Sequence, residues 1–278
     1  MFTYVKLELI KIFSKIRSIV AFLAIGFIVP LIASAMYLEG NQVLNLALQP
    51  FKDTFDFSGN FLNGYLVVVF ILTGLYVHIP LLISIVAGDM LSGEATSGTY
   101  RMMLSRPISR TQMVVSKYIA VIIYTLLLVA WVGVLSFGIG LLLFGTGDLI
   151  TIRSAITIVP EADVPWRFLY AFGFAGLSMS VIASIAFMFS SFVENTLGPL
   201  ISTFATIILF TIITSFDYSL FDTIQPLLFT NYINSWRLFF DNPIDWAKIT
   251  TSIWALVLHL IVCLGVSIYV VRKKDILS

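Results

Sequence analysis

The sequence is short of charge, cysteine and histidine, and each shortage excludes something. Charged residues make up 11% of its 278 positions, against roughly 25% in soluble domains. With hydrophobic residues at 59%, a water-soluble globule is excluded. The one cysteine, Cys263, leaves no disulfide framework and no cysteine-based metal cluster. The phosphate-binding patterns G-x-x-x-x-G-K-[ST] and G-x-G-x-x-G are both absent. Any ATP chemistry therefore belongs to another chain, and no catalytic residue is expected in this one.

Long apolar runs are abundant instead. A hydrocarbon core about 30 Å thick takes about 20 helical residues at about 1.5 Å rise. Six runs meet that length, at 18–38, 64–86, 114–144, 168–192, 197–216 and 252–271. Each is expected to be a helix, because in lipid the backbone must close its own hydrogen bonds. The alternation of a membrane barrel is missing. The expected fold is therefore all-α, one integral membrane domain over 1–278. The first run follows a basic start and contains Ala33-Ser34-Ala35, as a signal peptide does. It is long for a signal-peptide core and is expected to stay as the first crossing.

Charge sets the orientation. With the N-terminus inside, the cytoplasmic parts carry Lys6, Lys11, Lys15, Arg17, Arg101, Arg106, Arg110, Lys117, Arg272, Lys273 and Lys274, eleven of the sixteen basic residues. The positive-inside rule then puts both termini in the cytoplasm. The expected location is the plasma membrane of a prokaryote, the inner membrane if the cell is Gram-negative. Ahead of the first crossing, within 1–17, Phe2, Val5, Leu9, Ile12, Phe13 and Ile16 recur at helical spacing. That pattern reads as an amphipathic helix lying in the membrane interface.

Ionisable groups inside the crossings are few. His78 and His259 alone lie near mid-membrane, and none of the six cores holds a carboxylate. The histidines serve either a transport pathway or hydrogen bonds to a neighbouring helix. Ser202, Thr203, Thr206, Thr211 and Thr214 in the fifth crossing have the same two readings, pathway lining or packing. Three external segments are expected, at 39–63, 145–166 and 217–251. The last is apolar yet broken by Pro226 and Asn242-Pro243. It fits two short helices dipping into the outer leaflet, with Trp236 and Trp246 at headgroup level.

The segment 87–112, with the residues that follow to Lys117, is the long polar interruption richest in positive charge. Ser92 or Gly93 is expected to start a short helix through Glu94 to Leu104, with Glu94 in its first turn. Pro107 ends it. Ser109-Arg110-Thr111-Gln112 is a capping box that starts the third crossing. Met90, Met102, Met103 and Met113 add adaptable apolar surface. Two roles are open on these residues alone: a surface that docks a soluble partner, or a loop whose arginines satisfy the positive-inside rule.

The string G-E-A-T-S-G-T-Y-R-M-M-L-S-R-P-I-S-R-T-Q-M-V-V-S-K resembles the signature of type-2 ATP-binding-cassette (ABC) transporter permeases. The matching positions are Glu94, Gly98, Thr99, Leu104, Ser105, Pro107, Ser109, Arg110 and Lys117. The closing Y-V-V-R-K-K-D-I-L is similar to the basic tail of the same family. The motif covers about 35 residues and the layout covers the chain.

The resemblance implies an exporter-type permease subunit with two ATPase subunits, which hold ATP and Mg, and a second permease copy or homologue. The lipid bilayer is its surrounding, an external or periplasmic protein is a further possible partner, and nucleic acid is not one. It implies a coupling helix from about Glu94 to Leu104, pushed by the ATPase, and a hinge at Pro107 that passes the motion to the second and third crossings. By the same resemblance Glu94, Gly98, Thr99, Arg101, Leu104, Arg106, Pro107 and Arg110 are the ATPase-coupling residues, with Glu94, Arg101, Arg106 and Arg110 docking. The 217–251 segment would close the external end of the pathway, with His78, Thr203, Thr206 and His259 as pathway candidates. Joining of the third and fourth crossings through 145–166 is looser than is usual in such permeases, and an extra external feature is expected there. Two other classes stand beside this one. One is an ATP-driven mechanical or assembly subunit serving external proteins. The other is a secondary transporter or channel, against which the missing carboxylates argue.

Overall fold

The computed structural model describes residues 1–49, 61–96, 109–152, 156–216 and 221–274. Helices α1 (Phe2–Ser14), α2 (Ile16–Leu48), α3 (Gly64–Leu75), α4 (His78–Thr96) and α5 (Arg110–Phe144) come first. Strands β1 (Leu149–Ile152) and β2 (Ile156–Val159) follow, then α6 (Val164–Phe192), α7 (Leu197–Ser215) and α8 (Trp246–Lys273). Short 3₁₀ helices at Gln225–Leu227, Phe229–Asn231 and Ile233–Phe240 connect α7 to α8. The protein is an integral membrane protein of helical architecture. Among the described residues six helices, α2 and α4 to α8, are long and apolar enough to cross a bilayer.

Several elements depart from the sequence reading. The second apolar run is not one helix but two, α3 and α4, separated by a turn at Tyr76 and Val77. Pro80 explains the break. It has no N–H for the carbonyl of Tyr76, and its ring would clash there, so it is tolerated only in the first turn of a new helix. The first crossing continues ten residues past its expected end, so the start of the 39–63 segment is helix and not loop. The linker at 145–166 holds an antiparallel hairpin, Leu149 opposite Val159 and Ile152 opposite Ile156. Its β-branched runs, L-I-T-I and I-T-I-V, favour strand over helix.

Between α7 and α8 the chain forms 3₁₀ turns, the longest of them Ile233–Phe240. Trp236, expected at headgroup level, is instead buried at 2% exposure, with Phe239 and Phe240 beside it in the core. Trp246 is exposed at 52%.

Helix α6 is the centre of the bundle and touches α4, α5, α7, α8 and the 3₁₀ helix Ile233–Phe240. Its small and hydroxylic residues, Gly176, Ser178, Ser180, Ala183, Ser184 and Ala186, are buried. Such residues let helices approach closely where no hydrophobic drive separates helix from lipid. Helix α7 is the most peripheral, burying only Pro199 and Thr203. Contacts define the two ends of the bundle. Helix α1, the ends of α4, α6 and α8 and the start of α5 share one end, joined by Lys11–Glu94, Lys274–Glu194 and Arg110–Lys274 contacts. The hairpin, the start of α3 and the end of the 3₁₀ helix share the other, joined by Asn63 to Asp148 and Arg167 to Phe239.

Candidate functional site

The end that holds α1 and the end of α8 carries a lattice of paired charges. Helix α1 presents Val5, Glu8 and Ile12 to the bundle. Positions 5, 8 and 12 recur every three to four residues and so form one face. Glu8 brings a carboxylate under that face, where Lys117 of α5 meets it at 2.9 Å. Lys117 also donates to Glu94 Oε1 of α4 at 2.6 Å. Lys11 of α1 reaches the same Glu94 oxygen. Lys117 is 1% exposed and Glu94 is 3% exposed. A buried ammonium is stable only with compensating charge and hydrogen bonds, and here two carboxylates supply both.

A second set of pairs lies one and a half helical turns back along α4. Asp89 accepts from Lys15 Nζ at 2.6 Å and from Arg17 Nη1 at 3.0 Å. Lys15 separates α1 from α2 and takes an extended backbone conformation, so the chain turns at the charged pair. Gly93 makes room for the Asp89 carboxylate, since a Cβ there would overlap Asp89 Oδ1. The pairs join four cations, Lys11, Lys15, Arg17 and Lys117, with three anions, Glu8, Asp89 and Glu94.

Helix α4 therefore runs unbroken through Ser92, Gly93 and Glu94, contrary to the expectation that a separate helix starts there. Ser92 Oγ bonds back to the Gly88 carbonyl at 2.7 Å and caps nothing. Glu94 falls in the last turn of α4, the unfavourable end of the helix dipole for an anion, and the two lysines offset that. Across α4, Ser190 of α6 accepts from the N–H groups of Leu91 and Ser92 at 3.1 and 2.9 Å and donates to the Gly88 carbonyl at 2.5 Å. The end of α4 is thus held from two sides.

Arg110 opens α5. Its Nη1 donates to the carbonyls of Val271, Arg272 and Lys274 at 3.3, 3.1 and 2.9 Å. These are C-terminal carbonyls of α8 that no helical N–H can satisfy, and a cation there complements the dipole. Arg272 Nε returns a bond to Thr111 Oγ1 at 2.9 Å. The capping box expected at Ser109 is present, with Gln112 N to Ser109 Oγ at 3.2 Å and Ser109 N to Gln112 Oε1 at 3.4 Å. Lys274 pairs with Glu194 at 3.2 Å, and Thr96 Oγ1 donates to the Glu194 carbonyl.

Of the expected docking residues, Glu94 and Arg110 are engaged inside the chain. Gly98, Thr99, Arg101, Leu104, Arg106 and Pro107 lie outside the described residues. The structure brings the two roots of that segment together, Glu94 on α4 and Lys117 on α5. Lys117, Glu8 and Asp89 are the residues that sequence reasoning missed as a site. Lys117 is visible in the motif, whereas Glu8 lies 109 residues from its partner and no local pattern marks it.

The pathway candidates do not form a cluster joined by hydrogen bonds. His78 is exposed, and its Nδ1 faces the Gly74 carbonyl at 2.9 Å across the α3–α4 break. His259 faces Ala255 O with Nδ1 at 2.7 Å and Leu227 O with Nε2 at 3.1 Å, tying α8 to the preceding segment. Thr203 and Thr206 donate to carbonyls one turn back in α7, those of Pro199 and Ser202. At the opposite end Arg167, 6% exposed, donates to the carbonyls of Phe239 and Asp241 at 3.1 and 2.9 Å. It does for the 3₁₀ helix Ile233–Phe240 what Arg110 does for α8.

Over 215 residues the chain is 27% identical to "Uncharacterized protein YhcI" of Bacillus subtilis (strain 168), covering 74% of this chain and 65% of that protein. The chain spans just under two thirds of that relative's length. Residues 27–277 match the family described as "Protein of unknown function (DUF2705)". That match takes in Asp89, Glu94, Arg110 and Lys117 and covers most of the chain, which therefore belongs to the DUF2705 family.

Proposed function

We propose that this chain is the transmembrane permease subunit of an ATP-driven ABC transporter of export type. Two separate ATPase subunits hold ATP and Mg, and a second permease copy or homologue completes the assembly. The observation that carries this reading is the bracing of both roots of segment 97–108. Glu94 and Lys117 join α4 to α5 through a buried ion pair, and Arg110 joins the start of α5 to the end of α8. A segment that receives a push transmits it only if its roots are fixed to the helices that must move. With Glu94 and Arg110 engaged in that bracing, Arg101 and Arg106 are the cations left for docking on an ATPase.

Other features support the same reading. Helix α1 docks one face on the bundle and leaves Phe2, Ile10 and Phe13 exposed, an apolar face suited to the inner-leaflet interface. Helix α7 leaves Leu197, Ile201, Ile208 and Ile212 exposed, a face that a second permease would cover. The bias of Lys and Arg toward one side supports cytoplasmic termini, in what we propose is a prokaryotic plasma membrane. The 3₁₀ turns between α7 and α8 then stand at the external end. A proton-coupled carrier is disfavoured, because the buried carboxylates Glu8, Asp89 and Glu94 all sit at the terminal end, each with a cation.

The test is purification of the tagged chain from its native host. An ATPase subunit is expected to copurify, with ATP turnover in nanodiscs. Replacing Arg101 and Arg106 together with alanine is expected to cut ATPase recovery severalfold while membrane insertion is unchanged. Recovery of the chain without any ATPase, and with turnover at background, overturns the reading.

A further inference from the structure

At the hairpin end a semi-enclosed cavity of about 280 Å³ opens between α2, α3, β1 and the 3₁₀ helix Ile233–Phe240. Leu66 and Phe70 of α3 form much of its apolar wall, and its polar contributors are Thr73, Thr151, Trp236 and Arg237. Two of these are unfinished. Trp236 is 2% exposed, and its indole Nε1 has no acceptor among the described residues. An indole N–H normally finds a partner when buried, and leaving one unmet costs about 1–3 kcal/mol. Arg237 lies over the Trp236 ring, 5.4 Å from its centroid, and is in none of the ion pairs among the described residues. Arg167, by contrast, has two carbonyl acceptors. The cavity thus combines an apolar wall with one cation and the Trp236 side chain, whose N–H is unused, next to each other in sequence.

We infer that this cavity binds a single-chain amphiphile with an anionic head, its chain against Leu66 and Phe70 and its carboxylate or phosphate on Arg237 and the Trp236 N–H. Guanidinium matches a carboxylate or phosphate in a two-oxygen fork, and the indole donor supplies a further contact. Size sets the class. At ~30 Å³ per water-sized group the cavity takes roughly nine such groups, enough for a short acyl chain and too small for a whole two-chain lipid. The same chemistry comes from two sources, a free acid or one chain and headgroup of a membrane lipid. Binding of this kind needs no ATPase, so it stands or falls separately from the transport reading.

The probe is 6-bromohexanoate, of a size with the cavity, whose bromine quenches tryptophan, titrated into the full-length protein in zwitterionic nanodiscs, with 6-bromohexan-1-ol as the uncharged comparator. Saturable quenching by the acid and only weak, linear quenching by the alcohol are expected. Arg237→Gln is expected to raise the half-saturating acid concentration by at least about fivefold, the loss of a charge-assisted contact. Trp236→Phe is expected to remove the saturable component, in protein that still elutes as a single species. Equal quenching by acid and alcohol, with no effect of Arg237→Gln, would mean partition into the bilayer and overturns the proposal. Nanodiscs containing phosphatidylglycerol separate the sources. Competition that shifts the acid curve to higher concentration assigns the natural occupant to lipid, and an unshifted curve assigns it to free acid.

Discussion

Lys117 Nζ and Glu94 Oε1 lie 2.6 Å apart, with side chains 1% and 4% exposed, where α4 ends and α5 begins. Removing the ammonium alone leaves Glu8 and Glu94 facing each other without their shared cation. Breaking a buried pair from one side typically costs about 3–5 kcal/mol. Lys117→Met is therefore expected to be strongly destabilising in a denaturant titration of the detergent-solubilised protein. Adding Glu94→Gln and Glu8→Gln to it should recover much of the loss, because no buried uncompensated charge then remains and Lys11, 42% exposed, is left to solvent. A triple variant no more stable than Lys117→Met would show that packing of the lysine stem, and not charge, holds the site.

Arg110 makes a narrower prediction. Its guanidinium donates to three carbonyls in the last turn of α8 and at its cap, where a helix leaves carbonyls without an N–H of its own. Arg110→Gln is expected to speed amide hydrogen exchange over residues 268–274 by about tenfold, corresponding to one or two hydrogen bonds at about 1 kcal/mol each, with the middle of α8 unchanged. Unaltered exchange at that end would mean α8 is held without the cap.

Close helix approach at the hairpin end rests on Gly64. A Cβ there would lie 2.7 Å from the Gly140 carbonyl oxygen and 2.8 Å from that of Gly145, both backbone atoms. Backbone cannot swing aside as a side-chain tip does, so Gly64→Ala is expected to cost about 1–3 kcal/mol by overpacking. At Gly138 and Gly173 a Cβ would meet no neighbour within 4 Å among the described residues. Alanine at either is expected to be neutral, or stabilising by up to about 1 kcal/mol through helix propensity. Unfolding midpoints of the three variants measured together check the contrast.

These sites show which parts of the architecture are legible in a sequence. The crossings are, since length and apolarity alone decide them, and so is the Ser109 capping box, a purely local pattern of two bonds. Pro80 marks the α3–α4 break, yet the apolar run hides it, because a span tolerates a kink without changing composition. The hairpin is written as β-branched runs too short to stand out in a helical chain. Trp236 defeats a local reading because aromatic residues near a boundary usually face headgroups, whereas this one is drawn into the core by Tyr76 and Phe240. Burial of Lys117 depends on Glu8, which only the tertiary fold brings near.

The pairing at Asp89 offers a test in which two substitutions interact. In the wild-type protein the Asp89 carboxylate folds back over Gly93 to meet Lys15 and Arg17. A methyl at position 93 must push that carboxylate away, and the two cations, 38% and 50% exposed, resist the shift. Their exposure limits the resistance, because each pair is screened by solvent and worth about 1 kcal/mol or less. Gly93→Ala is therefore expected to cost about 1 kcal/mol net in the wild-type background, after alanine's better helix propensity is counted. In an Asp89→Ala background the carboxylate is gone, nothing remains to be displaced, and the same substitution should be neutral or stabilising. The double-variant cycle, read from unfolding free energies, should thus show a coupling of about 1–2 kcal/mol. Strict additivity would place the Asp89 carboxylate away from Gly93 and would release Lys15 and Arg17 from the role of holding the α1–α2 junction to α4.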